Sequence, residues 1–179
     1  PLYNPDGFAI DTSGNMYISN YDDHCMLKMN SAGAISKFMG TCASSAGWPG
    51  GTTQATAILR YPTGITIDTN YSADGNFFFA DGLDQNPGRI RYVNFRTSGF
   101  TLAGVSIPAG SAANPSVTSI FSLSNASSGR LYGVAQFGNQ FCYSSGRTDS
   151  ADQGGHNVTC RDLSSALGAI TLRVGPDEI

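Results

Sequence analysis

Charge is scarce in this chain. Of its 179 residues only 13% are Asp, Glu, Lys or Arg, and the formal net charge is −3. No run of Lys or Arg occurs, so the footprint that tracks a phosphate backbone is missing and nucleic acid is not an expected partner. Long apolar runs are missing too. No stretch approaches the roughly 18 to 20 residues that cross a bilayer as a helix, so membrane insertion is not expected. The chain opens on Pro1 rather than Met, without the charged-then-apolar start of a secretory leader, and reads as a mature or excised piece. Signatures of chemistry are equally thin. There is no G-x-S-x-G elbow, no G-x-x-x-x-G-K-[ST] phosphate loop and no G-x-G-x-x-G fingerprint. Histidine occurs only at His24 and His156, whereas a zinc site wants three or four ligands. No cofactor or metal is expected.

Cysteine is sparse but informative. Cys25, Cys42, Cys142 and Cys160 form no C-x-x-C and have no His cluster of zinc-finger spacing beside them. Four cysteines permit three pairings, and free buried thiols are the competing state. Low charge with abundant Ser, Thr and Asn suits an oxidising compartment, which favours sequential disulfides and a secreted, periplasmic or cell-surface address. Three N-x-[ST] triplets, at Asn70, Asn125 and Asn157, matter only in a glycosylating host.

What the chain has is glycine, 22 residues of it, and a phrase that returns. "PDGFAIDTSGNMYISN" is followed by "HCMLKMNSAGAISKFMG"; "PTGITIDTNYSADGNFFFADG" by "GRIRYVNFRTSGFTLAG"; and a worn third, "LYGVAQFGNQFCYSSG", by "HNVTCRDLSSALGAITLRVG". Landmark glycines open the phrase at Gly7, Gly64 and Gly133, Gly-Asn pairs follow at 14–15, 75–76 and 138–139, and Gly40, Gly104 and Gly175 close it. Repeats at this spacing indicate stacked or circular architectures.

Each unit parses into four strands. "FAID", "ITID" and "GVAQ" are short and apolar, and "MYIS", "FFFAD" and "QFCYS" follow the Gly-Asn turn, a strong hairpin signal. "MLKMN", "IRYVN" and "VTCRD" supply third strands; "AISKFM", "FTLAG" and "AITLRV" supply fourth ones. No apolar stripe of helical period persists. Four antiparallel strands per unit describe a propeller blade, with an irregular β-sandwich as the competing reading.

The chain resembles the NHL-repeat β-propellers. The residues that carry this are "YNPDGFAID" (3–11), "YPTGITID" (61–68), the Gly-Asn pairs and the blade end "SAGAISKFMGT" (31–41). The segment "GWPGGTTQATAILRYPTGI" (47–65) is similar to the inter-repeat stretch of bacterial members, G-G-x-A-T-x-A-x-L-x-x-P-x-G-I. The resemblance covers residues 1–110 well and 111–179 weakly, because the third unit lacks the Pro before its Gly and the Asp after its first strand. It implies an all-β fold: a propeller segment with one blade over about 1–46, a linker at 47–60, a second blade over about 61–110 and a degenerate third over about 111–179. Function is not implied, since members include receptor sensors, RNA-binding modules and a peptide-amidating lyase.

Propellers close with four to eight blades, and an open arc leaves apolar flanks in water. The expectation is therefore a homodimer making a six-bladed ring, or completion by further repeats. The expected function is non-catalytic recognition of protein or glycan through the loop faces. Candidate contacts are Trp48 in the linker, Tyr21 with Asp22 and Asp23, Tyr71, and Arg147 and Asp149 in the long insertion 144–157. The alternatives are a metal-dependent lyase or hydrolase whose site is shared between blades, and a structural spacer in a large surface protein. His24 and His156 hold matching positions and read as turn residues. Asp11 and Asp68 read as turn hydrogen-bonders, and the calcium-loop look of Asn70, Ser72, Asp74, Gly75 and Asp81 reads as a hairpin turn, because no Glu closes it.

Overall fold

The structure, a computed structural model, describes residues 2–43, 50–82, 88–122, 130–146, 157–166 and 170–174. Apart from a 3-10 turn at Ser72–Asp74, every regular element among them is a strand. The first sheet is a meander of β1 (Pro5–Ile10), β2 (Met16–Asn20), β3 (Cys25–Met29) and β4 (Ile35–Gly40). In the second, β5 (Ile65–Ile67), β6 (Phe77–Asp81) and β7 (Arg89–Asn94) are completed by β10 (Ser116–Ser122). The third runs β11 (Arg130–Phe137), β12 (Gln140–Gly146), β13 (Asn157–Asp162) and β14 (Ile170–Val174). All strand pairs are antiparallel. The inner strands β1, β5 and β11 lie side by side in that order. The fold is all-β: a β-propeller segment of three four-stranded blades.

One strand assignment is corrected. "FTLAG" does not close the second blade: β8 (Phe100–Leu102) pairs only with β9 (Val105–Ile107), and β10 takes the edge of β7 in its place, with Val117 opposite Val93. That blade's outer strand therefore lies beyond residue 110. The physical reason is burial. Val117, Ile120 and Phe121 of the longer strand are all buried, whereas the three-residue β8 buries only Leu102 and is turned back by Ala103-Gly104 at positive φ. Asn94 holds the inserted hairpin by donating its side-chain amide to Ser98 O and Pro108 O.

Two cores lie between blades. Tyr17, Met26 and Met39 of the first blade meet Ile65, Phe77 and Phe79 of the second, with Ala57 and Leu59 of the linker filling the joint. Phe78, Ile90 and Tyr92 of the second meet Leu131, Phe141 and Tyr143 of the third. Ring centroids stand 4.7 Å apart for Tyr17 and Phe77, and again for Phe78 and Phe141. This explains why "FFFAD" runs apolar without alternation: the middle blade is covered on both faces, and all five residues of β6 are buried. Each buried ring contributes about 1.5–3 kcal/mol of transfer free energy. β1, by contrast, covers one face only, with Ala9 buried and Phe8 and Ile10 exposed.

The landmark glycines sit where inner strands approach most closely. A Cβ on Gly7 would lie 2.8 Å from Thr63 O, and one on Gly64 would lie 2.4 Å from Tyr132 O. Each glycine thus faces the carbonyl just before the next blade's landmark glycine. Gly64 also donates its N–H to Tyr132 O at 2.8 Å. Disulfides join Cys25 to Cys42 and Cys142 to Cys160, the sequential pairing. Each closes a loop of 17 or 18 residues, worth about 3 kcal/mol on the chain-entropy account.

Candidate functional site

The carboxylates that the repeat places at equivalent positions serve the fold. Asp11 accepts the N–H groups of Ser13 and Asn15 at 2.9 and 2.8 Å, the Asn15 amide at 2.8 Å and the Tyr17 hydroxyl at 3.3 Å. Asp68 accepts Asn70 N–H at 2.9 Å, the Tyr92 hydroxyl at 2.6 Å and the Gln136 amide at 3.2 Å, the last reaching across from the third blade. Burial pushes the Asp68 carboxyl above its ordinary range, and the same burial, reinforced by the carboxylates beside them, pushes the Tyr17 and Tyr92 hydroxyls up. Both aspartates bond their turns together, as their spacing suggests. In the third unit, where the Asp is missing, Gln136 returns a bond to the second blade by accepting Thr69 N–H at 2.6 Å.

The deepest ionic group is also structural. Arg91 donates to Asp81 at 2.9 Å and to the carbonyls of Gly50, Gly51 and Ile58, while Asp81 also accepts Arg60 N–H. Burial drives the Asp81 carboxyl upward against the pull of Arg91. The pair clamps the linker onto the second blade, and Gln54 adds a bond from its side chain to Phe38 O on the first.

A different arrangement occupies the corner between β2 and β3. Tyr21, Asp22 and Asp23 form this turn, closed by His24 N–H donating to Tyr21 O. The structure brings to them a residue that sequence reasoning missed, Tyr61, whose ring lies 4.8 Å from Tyr21 and 4.3 Å from the His24 ring. Tyr61 N–H donates to His24 Nδ1 at 3.1 Å, which assigns the proton of the neutral imidazole to Nε2. His24 is buried, and burial holds its pKa below the ordinary value, with Arg60 adding to the effect against Asp22 and Asp23. Asp22 is exposed, Tyr21 is half-buried, and Asp23 accepts the Asn20 amide at 2.7 Å.

Backbone strain gathers at this corner. Among the described residues, five that are not glycine have positive φ, and four of them converge here: Asn4 (52°), His24 (54°), Cys42 (51°) and Tyr61 (51°). Asn4 O accepts Tyr21 N–H, His24 O accepts Thr41 N–H, and Cys42 is tied to Cys25. Left-handed backbone costs a bulky residue free energy, and such residues cluster at ligand clamps and switch regions. Nothing in the residue string marks Tyr61 or Cys42 as left-handed; the only sequence signal was the adjacency of aromatic and acid in "YDDH". A cavity of about 400 Å³ opens beside the corner, lined by Tyr3, Asn20, Asp23, Ile35, Lys37 and Cys42 among others.

Tyr71 lies elsewhere, in the turn between β5 and β6. Its ring stacks on the Arg96 guanidinium at 4.6 Å, Arg96 pairs with Asp74 at 3.0 Å, and Phe100 stands 4.9 Å away. It is half-buried and does not join the Tyr21 group. Trp48, Arg147, Asp149 and His156 lie outside the described residues. Among those described, no three His, Cys, Asp or Glu side chains gather as a metal site, and no helix is long and apolar enough to cross a membrane.

No protein-family model matches the chain, and no curated protein matches it. Solved structures do. One is a structural genomics protein of unknown function from Bacteroides thetaiotaomicron, 17% identical with a TM-score of 0.45 over 90% of this chain and 32% of that one. Another is the PQQ-bound form of an aldose sugar dehydrogenase from Streptomyces coelicolor, 18% identical with a TM-score of 0.48 over 99% of this chain and 46% of that one. The chain spans less than half the length of either.

Proposed function

We propose that this chain is an NHL-type propeller segment that works outside the cytoplasm as a non-catalytic recognition module, taking a glycan or a protein at the Tyr21–Asp22–Asp23–Tyr61 corner. The observation that supports it is the convergence of four strained backbones on one loop corner that carries aromatic faces and acceptor carboxylates. An aromatic face beside carboxylates suits a ligand with an apolar face and hydroxyl or amide donors. Two disulfides fit an oxidising compartment.

The test uses the full chain, stripped of metal, on a glycan array and in pull-downs from culture medium. Saturable binding, weakened about tenfold or more by Tyr21→Ala or Asp22→Asn, is the expected result, since about 1.4 kcal/mol is one decade in affinity. Stoichiometric metal in the purified protein, together with binding that vanishes on chelation, would overturn it in favour of a metal-dependent enzyme. No binding at all would leave a spacer.

A further inference from the structure

We propose that the open flank of the first blade docks against the open flank of the third blade of a second copy, with the peptide carbonyl of Asp6 seated over Gly133. The inner glycines set the pattern. A Cβ on Gly7 would meet Thr63 O and one on Gly64 would meet Tyr132 O, whereas one on Gly133 would meet only the Ser144 hydroxyl of its own blade, at 3.3 Å. Thr63 and Tyr132 are the residues just before the next landmark glycine; the counterpart that no blade of this chain has used is Asp6, before Gly7.

The side chains of the two flanks agree with this step. Ile65 and Ile67 face the first blade from the second. At the matching positions of β1 stand Phe8 and Ile10, exposed at 65% and 52% with no blade in front of them among the described residues, while farther along the same face Ile18 and Leu27 are buried beside the Cys25–Cys42 disulfide. The receiving flank is cut back. Where Tyr17 and Phe78 project large rings toward the following blade, the third blade carries Cys142, bonded to Cys160. Around it, among the described residues, lie the small side chains of Ala135, Ser144 and Val158, with Phe137 exposed at 85%. Large residues on one flank and small ones on the other fit a head-to-tail contact, and each chain carries both halves. Two such contacts close a ring of two copies; a rotation that failed to close would give an open polymer.

Analytical ultracentrifugation of the full chain tests the proposal, with native mass spectrometry as a second reading. A species of twice 18.7 kDa is expected. Phe8→Glu and Gly133→Val should each shift it to 18.7 kDa without loss of either disulfide or of the near-ultraviolet circular dichroism, because Phe8 is exposed and a side chain at 133 would crowd only the Ser144 hydroxyl within the single chain. Mixing the two variants should give a heterodimer joined through one contact, between the intact first-blade flank of Gly133→Val and the intact third-blade flank of Phe8→Glu. A wild-type monomer, or an assembly indifferent to both substitutions, overturns the proposal; an open ladder of masses that either substitution abolishes supports the same contact without closure. Ligand binding at the Tyr21 corner is a separate reading and survives any of these outcomes.

Discussion

Arg91 is among the largest side chains held wholly inside the molecule, and its two terminal nitrogens reach one carboxylate and three carbonyls while its buried Nε has no partner. Removing it leaves Asp81 buried with an uncompensated charge, so Arg91→Leu should cost about 3–5 kcal/mol in urea unfolding. Asp81→Leu together with Arg91→Leu should cost less than the single change, because no orphaned charge remains. His24 supplies a pH dependence whose sign is fixed by its burial. The imidazole sits below its ordinary 6.5 when folded, so unfolding takes up a proton as acid is added. Its contribution is complete above about pH 6.5 and declines as pH falls below it. His24→Asn keeps a residue that tolerates positive φ and an oxygen to accept Tyr61 N–H, and should flatten thermal-midpoint curves between about pH 7.5 and pH 5 relative to the parent. Residue roles of this kind were half legible. The turn aspartates follow from their place before Gly-Asn, but Tyr61 reaches His24 only because the linker is clamped, and local sequence carries no trace of that.

Among the elements, the inner strands are the most demanding. Gly64→Ala would thrust a methyl group into the Tyr132 carbonyl and should cost about 1–3 kcal/mol, the usual range for overpacking. Gly133→Ala, whose methyl group would crowd the Ser144 hydroxyl that accepts Gly133 N–H, should cost less, about 0.5–1 kcal/mol; paired urea titrations compare the two. Strand order in the first and third blades was readable because the Gly-Asn turns set the hairpins and the apolar bursts fall between them. The second blade misled at its edge. A hairpin spliced between third and fourth strands copies the look of a strand after a turn, and only the competition for the β7 edge, won by the longer and more apolar β10, reveals the insertion.

Over the whole molecule, the two joints between blades are fastened differently. The first is filled by the linker, whose Ala57 and Leu59 lie in the core and whose Thr52 O accepts Val117 N–H. The second is held at the inside by the Gly64 bond to Tyr132 and at the outside by the inserted hairpin, where Ala103 N–H reaches Leu163 O at 2.9 Å. Both joints are thus tied by packing and hydrogen bonds. The curvature of the arc is carried in these two seams, and whatever meets its ends must match a template already made.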